Sequence, residues 1–407
     1  MKKKQLRWTL WTIASPFILF IILCILINLP PIQNFLVDKA AVYASEATGM
    51  NISVGRISLS FPLNLVVTDV DAASPHKDTL LSVRRLQVNV QLLPLLKKQV
   101  EVDGISLQGA TVNSNDLIHG MRLNGTLGEL FISSHGVALD PETAIVNKVL
   151  LKDTDLSLCL NDTAAADTAA SDTTYWKIIL QDIDLQNVSF ALDMPLDSLS
   201  LAASLDNATL RDGLIDLHKS AYSLQTFQIK NGRVRYDSGR PSATASADSL
   251  SAGLDPSHIA LTDIGVKLDS LYYEGRNMKA IISQFVLKER SGVEIVSTEG
   301  RLVSNDKVLR VPSLKLETRD SYLELNAAMD WDALDFKKEG LVSARLMADI
   351  GKPDVVRFMG SMDEKFIRKY PSEPLRIRTG IDGVLNKLKL TTLTAELPGA
   401  LAVSYTH

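Results

Sequence analysis

Apolar and polar residues alternate with period two along most of this chain, and five stretches repeat one phrase. Ile105-Ser-Leu-Gln-Gly-Ala-Thr-Val112 is matched by Val149-Leu-Leu-Lys-Asp-Thr-Asp-Leu156 and by Ile183-Asp-Leu-Gln-Asn-Val-Ser-Phe190. Phe227-Gln-Ile-Lys-Asn-Gly-Arg-Val234 and Val266-Lys-Leu-Asp-Ser-Leu-Tyr-Tyr273 complete the set. In each, two apolar residues two apart precede Gly, Asp, Asn or Ser, and a further apolar residue follows on the opposite parity. Period-two alternation predicts strands with one apolar face. The change of parity predicts an extra residue, a bulge or kink, at the Gly, Asp or Asn position. Phrases starting 34 to 44 residues apart fit a repeating β-architecture better than a compact enzyme.

Other elements follow from the same pattern. Ile32, Phe35, Leu36, Lys39, Ala40, Val42 and Tyr43 recur at helical spacing behind Pro30-Pro31, which predicts an amphipathic helix over 30–48 ended by Gly49. Its apolar stripe could lie on a membrane surface, but is expected rather to cap the first β-layer, since such stripes usually pack on protein. Strands are predicted around Ile52–Leu59, 63–70, 83–92, 100–112, 123–132 and 146–160. The run 161–174, NDTAAADTAASDTT, has no periodicity and reads as a low-complexity loop. Alternation resumes over 175–407, with a surface loop near 238–251 and a helix near 353–370. The chain stops within an alternating stretch, as expected of a piece of something longer.

The first residues differ from the rest. Lys2, Lys3, Lys4 and Arg7 form a basic start, 1–7, followed by a nearly uninterrupted apolar run from Trp8 to Leu29. At about 1.5 Å per residue that run reaches roughly 33 Å, enough for a bilayer core. It predicts a transmembrane helix with the basic end cytoplasmic and the remaining chain on the other side. A cleaved signal peptide is the competing reading, but its apolar core is normally only about 7 to 15 residues.

Composition narrows the function. A net charge of -4 over 407 residues, with no basic stripe, argues against nucleic acid as a partner. The two cysteines, Cys24 and Cys159, are not expected to pair. Six histidines include no HxH, HExxH or HxxxH pair, and no phosphate-binding loop, dinucleotide fingerprint or nucleophile elbow occurs. Neither enzyme chemistry nor a cofactor or metal is expected. Asp69, Asp153, Asp182 and Asp263 sit where Asp favours turns.

Strands in this number with two helices and 6% aromatics pose a burial question. The apolar faces must close on themselves, stack, or curl into an elongated groove that an acyl chain could line. Sixteen to twenty strands at about 4.8 Å each would extend on the order of 75 to 95 Å. The expected fold is mainly β: a transmembrane helix, then an elongated, curled, repeating β-sheet groove of β-taco type with few short helices.

The opening Gly49-Met-Asn-Ile-Ser-Val-Gly-Arg-Ile-Ser-Leu-Ser-Phe-Pro-Leu-Asn-Leu65, with Asp69-Val-Asp, Val83-Arg-Arg-Leu-Gln-Val-Asn-Val90 and Val102-Asp-Gly-Ile-Ser-Leu-Gln-Gly-Ala-Thr-Val112, resembles the AsmA-like superfamily, and within it the TamB-like branch. The likeness covers about residues 1 to 115 and assigns 49–160 to an N-terminal β-domain of that type. It implies an inner-membrane-anchored periplasmic protein that carries phospholipid between envelope membranes and supports outer-membrane biogenesis. It also implies an outer-membrane barrel partner, engaged through a C-terminal part that this sequence lacks. Ile105, Leu107, Ile183, Leu185, Phe227, Ile229, Val266 and Leu268 are the candidate groove-lining residues, with Trp8 and Leu29 as the ends of the anchor. An alternative role is a translocation or assembly factor whose exposed strand edge pairs with nascent β-proteins. A purely structural envelope tether needs only the anchor and the length.

Overall fold

The structure is a computed structural model. It describes residues 21–22, 25–60, 64–74, 79–91, 102–114, 120–138, 142–161, 175–239, 253–335, 338–359, 367–368, 370–385, 387–397 and 400–404. The basic start, most of the apolar run 8–29 including Trp8, and most of the loop at 161–174 lie outside the described residues. Among the described residues no helix is long and apolar enough to cross a membrane.

The chain is mainly β and divides into two compact units, residues 1–137 with 145–162 and residues 138–144 with 163–407. In the first, helix α1 (Pro30–Thr48) precedes β1 (Asn51–Ser60), β2 (Asn64–Ala73), β3 (Thr79–Val90), β4 (Val102–Asn113), β5 (Met121–Ala138) and β6 (Thr143–Leu160). Prolines at the first helical positions suit its start. Gly49, at φ 69°, ends it and donates its N–H to the Ser45 carbonyl at 2.9 Å. Ser45 Oγ then accepts the Ile52 N–H at 3.0 Å, tying the helix to β1. Successive strands from β1 to β5 pair antiparallel. β6 follows β5, with the Asn161 N–H donated to the Gly120 carbonyl at 2.6 Å.

The helix boundaries match the expected 30–48, but its stripe does not. Ile32, Leu36, Val37, Ala40 and Ala41 are the partly covered positions, whereas Phe35, Val42 and Tyr43 stay exposed. At 100° per residue Val37 and Ala41 continue the covered face and Phe35 does not, so a spacing of three and four had merged two faces.

The second unit holds β7 (Lys177–Met194), β8 (Leu199–Asp216), β9 (Ala221–Leu224), β10 (Thr226–Ser238), β11 (His258–Glu274), β12 (Asn277–Glu289), β13 (Glu294–Ser304), β14 (Val308–Thr318), β15 (Tyr322–Asp330), β16 (Leu341–Ile350), β17 (Leu375–Val384), β18 (Lys387–Leu397) and β19 (Ala400–Ser404). β9 and β10 are one strand interrupted at Gln225, lying between β8 and β11. Each later strand pairs antiparallel with the next. Short turns join several of them; at one, Asn305 Oδ1 accepts the Lys307 and Val308 N–H groups at 2.9 Å each. Helix α2 (Lys352–Met359) realises the first part of the helix expected near 353–370. Its buried Asp354 accepts from Ser321 Oγ at 2.6 Å, from Thr318 Oγ1 and from Arg357 at 3.1 Å, which pins α2 to the β14–β15 turn.

The repeated phrases mark left-handed backbone. Gly109 (φ 63°), Asp153 (49°), Asn187 (51°) and Asn231 (53°) each occupy the fifth place of a phrase. The fifth phrase departs: its left-handed residue is Asp263 (53°), ahead of the phrase, and β11 shifts register against β12 at 267–270. Asp69 (54°) and Asp212 (50°) repeat the device in β2 and β8.

The expected extra residue is absent from most of these places. β3 and β4 pair Arg85 with Gln108 before Gly109 and Val83 with Ala110 after it, with no residue gained on either strand. β4 and β5 likewise pair Gln108 with Glu129 and Ala110 with Leu127. A left-handed residue turns the next side chain to the other face, and the neighbouring strand keeps its ladder only by turning at the same place. The change of parity therefore crosses the sheet as a row: Gly55, Asp69, Arg84, Gly109, Gly128. We term this row a crease. An inserted residue is kept between β10 and β11, where the register does shift.

Candidate functional site

The creases keep apolar residues aligned in unbroken rows. In the first unit Leu59, Leu65, Val88, Ile105 and Ile132 are successive cross-strand partners, as are Ile57, Val67, Leu86, Leu107 and Leu130. Beyond the crease, Val54, Val70, Val83, Ala110 and Leu127 form another such row. Polar rows occupy intervening positions: Ser53, Asp71, Ser82, Thr111 and Thr126 are partners in turn. Candidates Ile105 and Leu107 thus stand on adjacent apolar rows.

The other six candidates meet in the second unit. Ile183, Leu210, Phe227, Leu268 and Ile282 form one row; Leu185, Ala208, Ile229, Val266 and Phe285 form the next. Leu210, Ala208, Ile282 and Phe285 were not among the expected residues. Their strands alternate but lack the repeated phrase, so only the pairing register reveals them. Two creases bound the rows, Asn187–Asp206–Asn231 on one side and Gln181–Asp212–Gln225 on the other. In the first crease the Asn231 amide donates to Asp206.

Charge is held off these rows. Asp182 and Asp184 flank Ile183, and Arg211 pairs with both; its contact to Asp184 is 2.9 Å. The same guanidinium donates to the Ile183 carbonyl at 3.1 Å. The hydrogen bond to Asp184 is the main cause that holds Arg211 protonated beyond its ordinary range. Arg378 and Asp349 repeat the arrangement at 2.8 Å between β16 and β17.

Coverage is the decisive property. Ten apolar residues are buried among the described residues, and five of them are alanines: Ala72, Ala208, Ala221, Ala333 and Ala348. None of the eight candidates is buried, and Ile105 is 39% exposed. A sheet whose apolar rows were packed under a second layer would bury most of its Leu, Ile, Val and Phe.

Among the described residues no cluster of His, Cys, Asp and Glu could hold a metal ion. An open cleft of about 390 Å³ lies over β12–β14 among Ser283, Glu299, Arg301, Ser313 and Lys315. No family model matches the chain, and no curated protein does. The likeness to the AsmA-like superfamily rests on the residues quoted for it.

Proposed function

We propose that the chain is an inner-membrane-anchored periplasmic protein whose apolar rows carry phospholipid acyl chains between envelope membranes, in support of outer-membrane biogenesis. One observation carries this reading: aligned apolar rows, continuous across five strands in each unit, left only partly covered. An acyl chain is the partner such a surface fits. Each CH₂ withdrawn from water stabilises binding by about 0.8 kcal/mol. Identical neighbouring rows let a chain slide without losing that contact, and head groups stay in water. The apolar run 8–29 supplies the anchor, and its basic flank sets the orientation.

The test is lipid content. The full chain, purified from bacterial membranes, is compared by native mass spectrometry with the Leu107→Asp/Leu185→Asp variant. Phospholipid that co-purifies with the protein and is lost from the variant supports the proposal. Lipid-free protein with an intact circular dichroism spectrum overturns it, and moves the weight to strand pairing with β-proteins in transit.

A further inference from the structure

Helix α1 has a second apolar face that is left exposed among the described residues. Phe35 is 60% exposed, Val42 54% and Tyr43 76%, spread over about 100° of the helix circumference, while Ile32, Leu36, Ala40 and Ala41 are partly covered. The outward residues fall within about two helical turns of one another, roughly 12 Å along the axis. Lys39 lies among them, and its long stem can keep its ammonium in water while the rings go deeper. Tyr43 likewise combines an apolar ring with a polar tip.

From this we infer that α1 lies on the membrane surface, its Phe35–Val42–Tyr43 face set into the boundary between head groups and acyl chains. The inference rests on the proposed anchor. Leu29, the last residue of the apolar run, directly precedes α1, so a spanning run delivers the helix to the headgroup level. The described end of that run continues the exposed apolar surface through Ile25, Leu26 and Leu29. This covalent continuity selects lipid over a second copy or a soluble partner, because the tether holds the surface beside the bilayer at all times. Asp38 and Glu46 are exposed as well, and keeping both hydrated limits the helix to an interfacial depth of about 5–10 Å. Since Ser45 Oγ binds the Ile52 N–H, a helix fixed in this way also fixes the orientation of β1 toward the membrane.

The experiment places an environment-sensitive fluorophore on single cysteines of the full chain, reconstituted in phosphatidylethanolamine vesicles with a minor share of phosphatidylglycerol. Phe35→Cys and Val42→Cys are compared with the exposed strand position Asn113→Cys, all in a Cys24→Ser/Cys159→Ser background. Native Cys24, labelled with Cys159→Ser alone, reports the anchor. Expected are blue-shifted emission at positions 35 and 42 and quenching there by a lipid spin-labelled near its head group, with neither effect at 113. If 35 and 42 behave like 113 while Cys24 is lipid-quenched, the surface helix is refuted and the anchor stands. If Cys24 is also water-exposed, the anchor fails and takes this inference with it. Blue-shifted but unquenched labels at 35 and 42 would mean a protein occupant and overturn the inference too.

Discussion

Strands β1 to β4 in the first unit are ten to twelve residues long and change face once; β7 and β8 in the second are eighteen residues long and change face twice. In both pairs, β3–β4 and β7–β8, the apolar side chains remain aligned across the partners through each change. Asn187 and Asp212, the two left-handed positions of that pair of strands, lie on rows six residues apart. A flat eighteen-residue strand would run for roughly 60 Å. Left-handed positions on both partners let this long pair of strands change face twice while its apolar rows stay together. Two creases are held differently: Gly55 and Gly128 lie against neighbouring backbone carbonyls in the first unit, and the Asn231 side chain donates to Asp206 in the second.

The largest expected effect falls at a glycine three residues from the first unit's crease position, Gly128. A side chain at Gly125 would run into the Asp155 carbonyl and the Leu156 backbone, neither of which can yield cheaply. Gly125→Val is expected to cost about 3 kcal/mol. Gly213→Ala, in the second unit, meets only the flexible end of Leu210 at 2.9 Å and the Leu180 side chain at 3.4 Å, and is expected to stay within about 1 kcal/mol. Urea unfolding of both variants checks the contrast.

Next come the left-handed residues. Asn187→Val forces a β-branched side chain into φ 51° and is expected to cost about 1–3 kcal/mol, while Asn187→Gly stays within about 1 kcal/mol. Equal losses for the two would mean that the backbone there is not left-handed.

Smaller still is the effect on the open rows. Leu107→Ala and Leu185→Ala are each expected to cost less than about 2 kcal/mol, the lower end for a buried leucine, because neither residue is buried. A loss of about 4 kcal/mol at either site would show a closed core.

The smallest concerns pH. The Ser257 N–H and then the His258 ring hold the Asp255 carboxyl below the usual carboxylate range, and Asp255 Oδ2 lies 2.9 Å from His258 Nδ1. Its contribution is present at pH values above the unfolded pKa and is lost as pH falls through the lowered one. Because both side chains are more than a third exposed, Asp255→Asn should leave the midpoint of unfolding nearly unchanged at neutral pH and shift its acid dependence slightly.

Much of this was legible in the residues. Alternation located the strands, Pro30-Pro31 and Gly49 bounded α1, and the fifth place of four phrases marked where the strands change parity. Two things were not. Whether a change of parity is an inserted residue or a crease depends on the partner strand, and Arg84 opposite Gly109 carries no local sign of it. The rows through Leu210, Ala208, Ile282 and Phe285 likewise exist only once register is fixed. Asp212 and Asp263 were hidden for a related reason: Asp is common at ordinary turns, so a left-handed Asp within a strand has no distinctive neighbours.

The most direct test of the account is site-specific photocrosslinking in living cells. A photoreactive phenylalanine analogue at Leu185 or Ile229, on the apolar rows, is compared with one at Gln186 or Gln228 on intervening positions of the same strands. Phospholipid adducts from Leu185 and Ile229 but not from Gln186 or Gln228 are the expected result. Adducts of equal yield from all four positions, or from none, would contradict it.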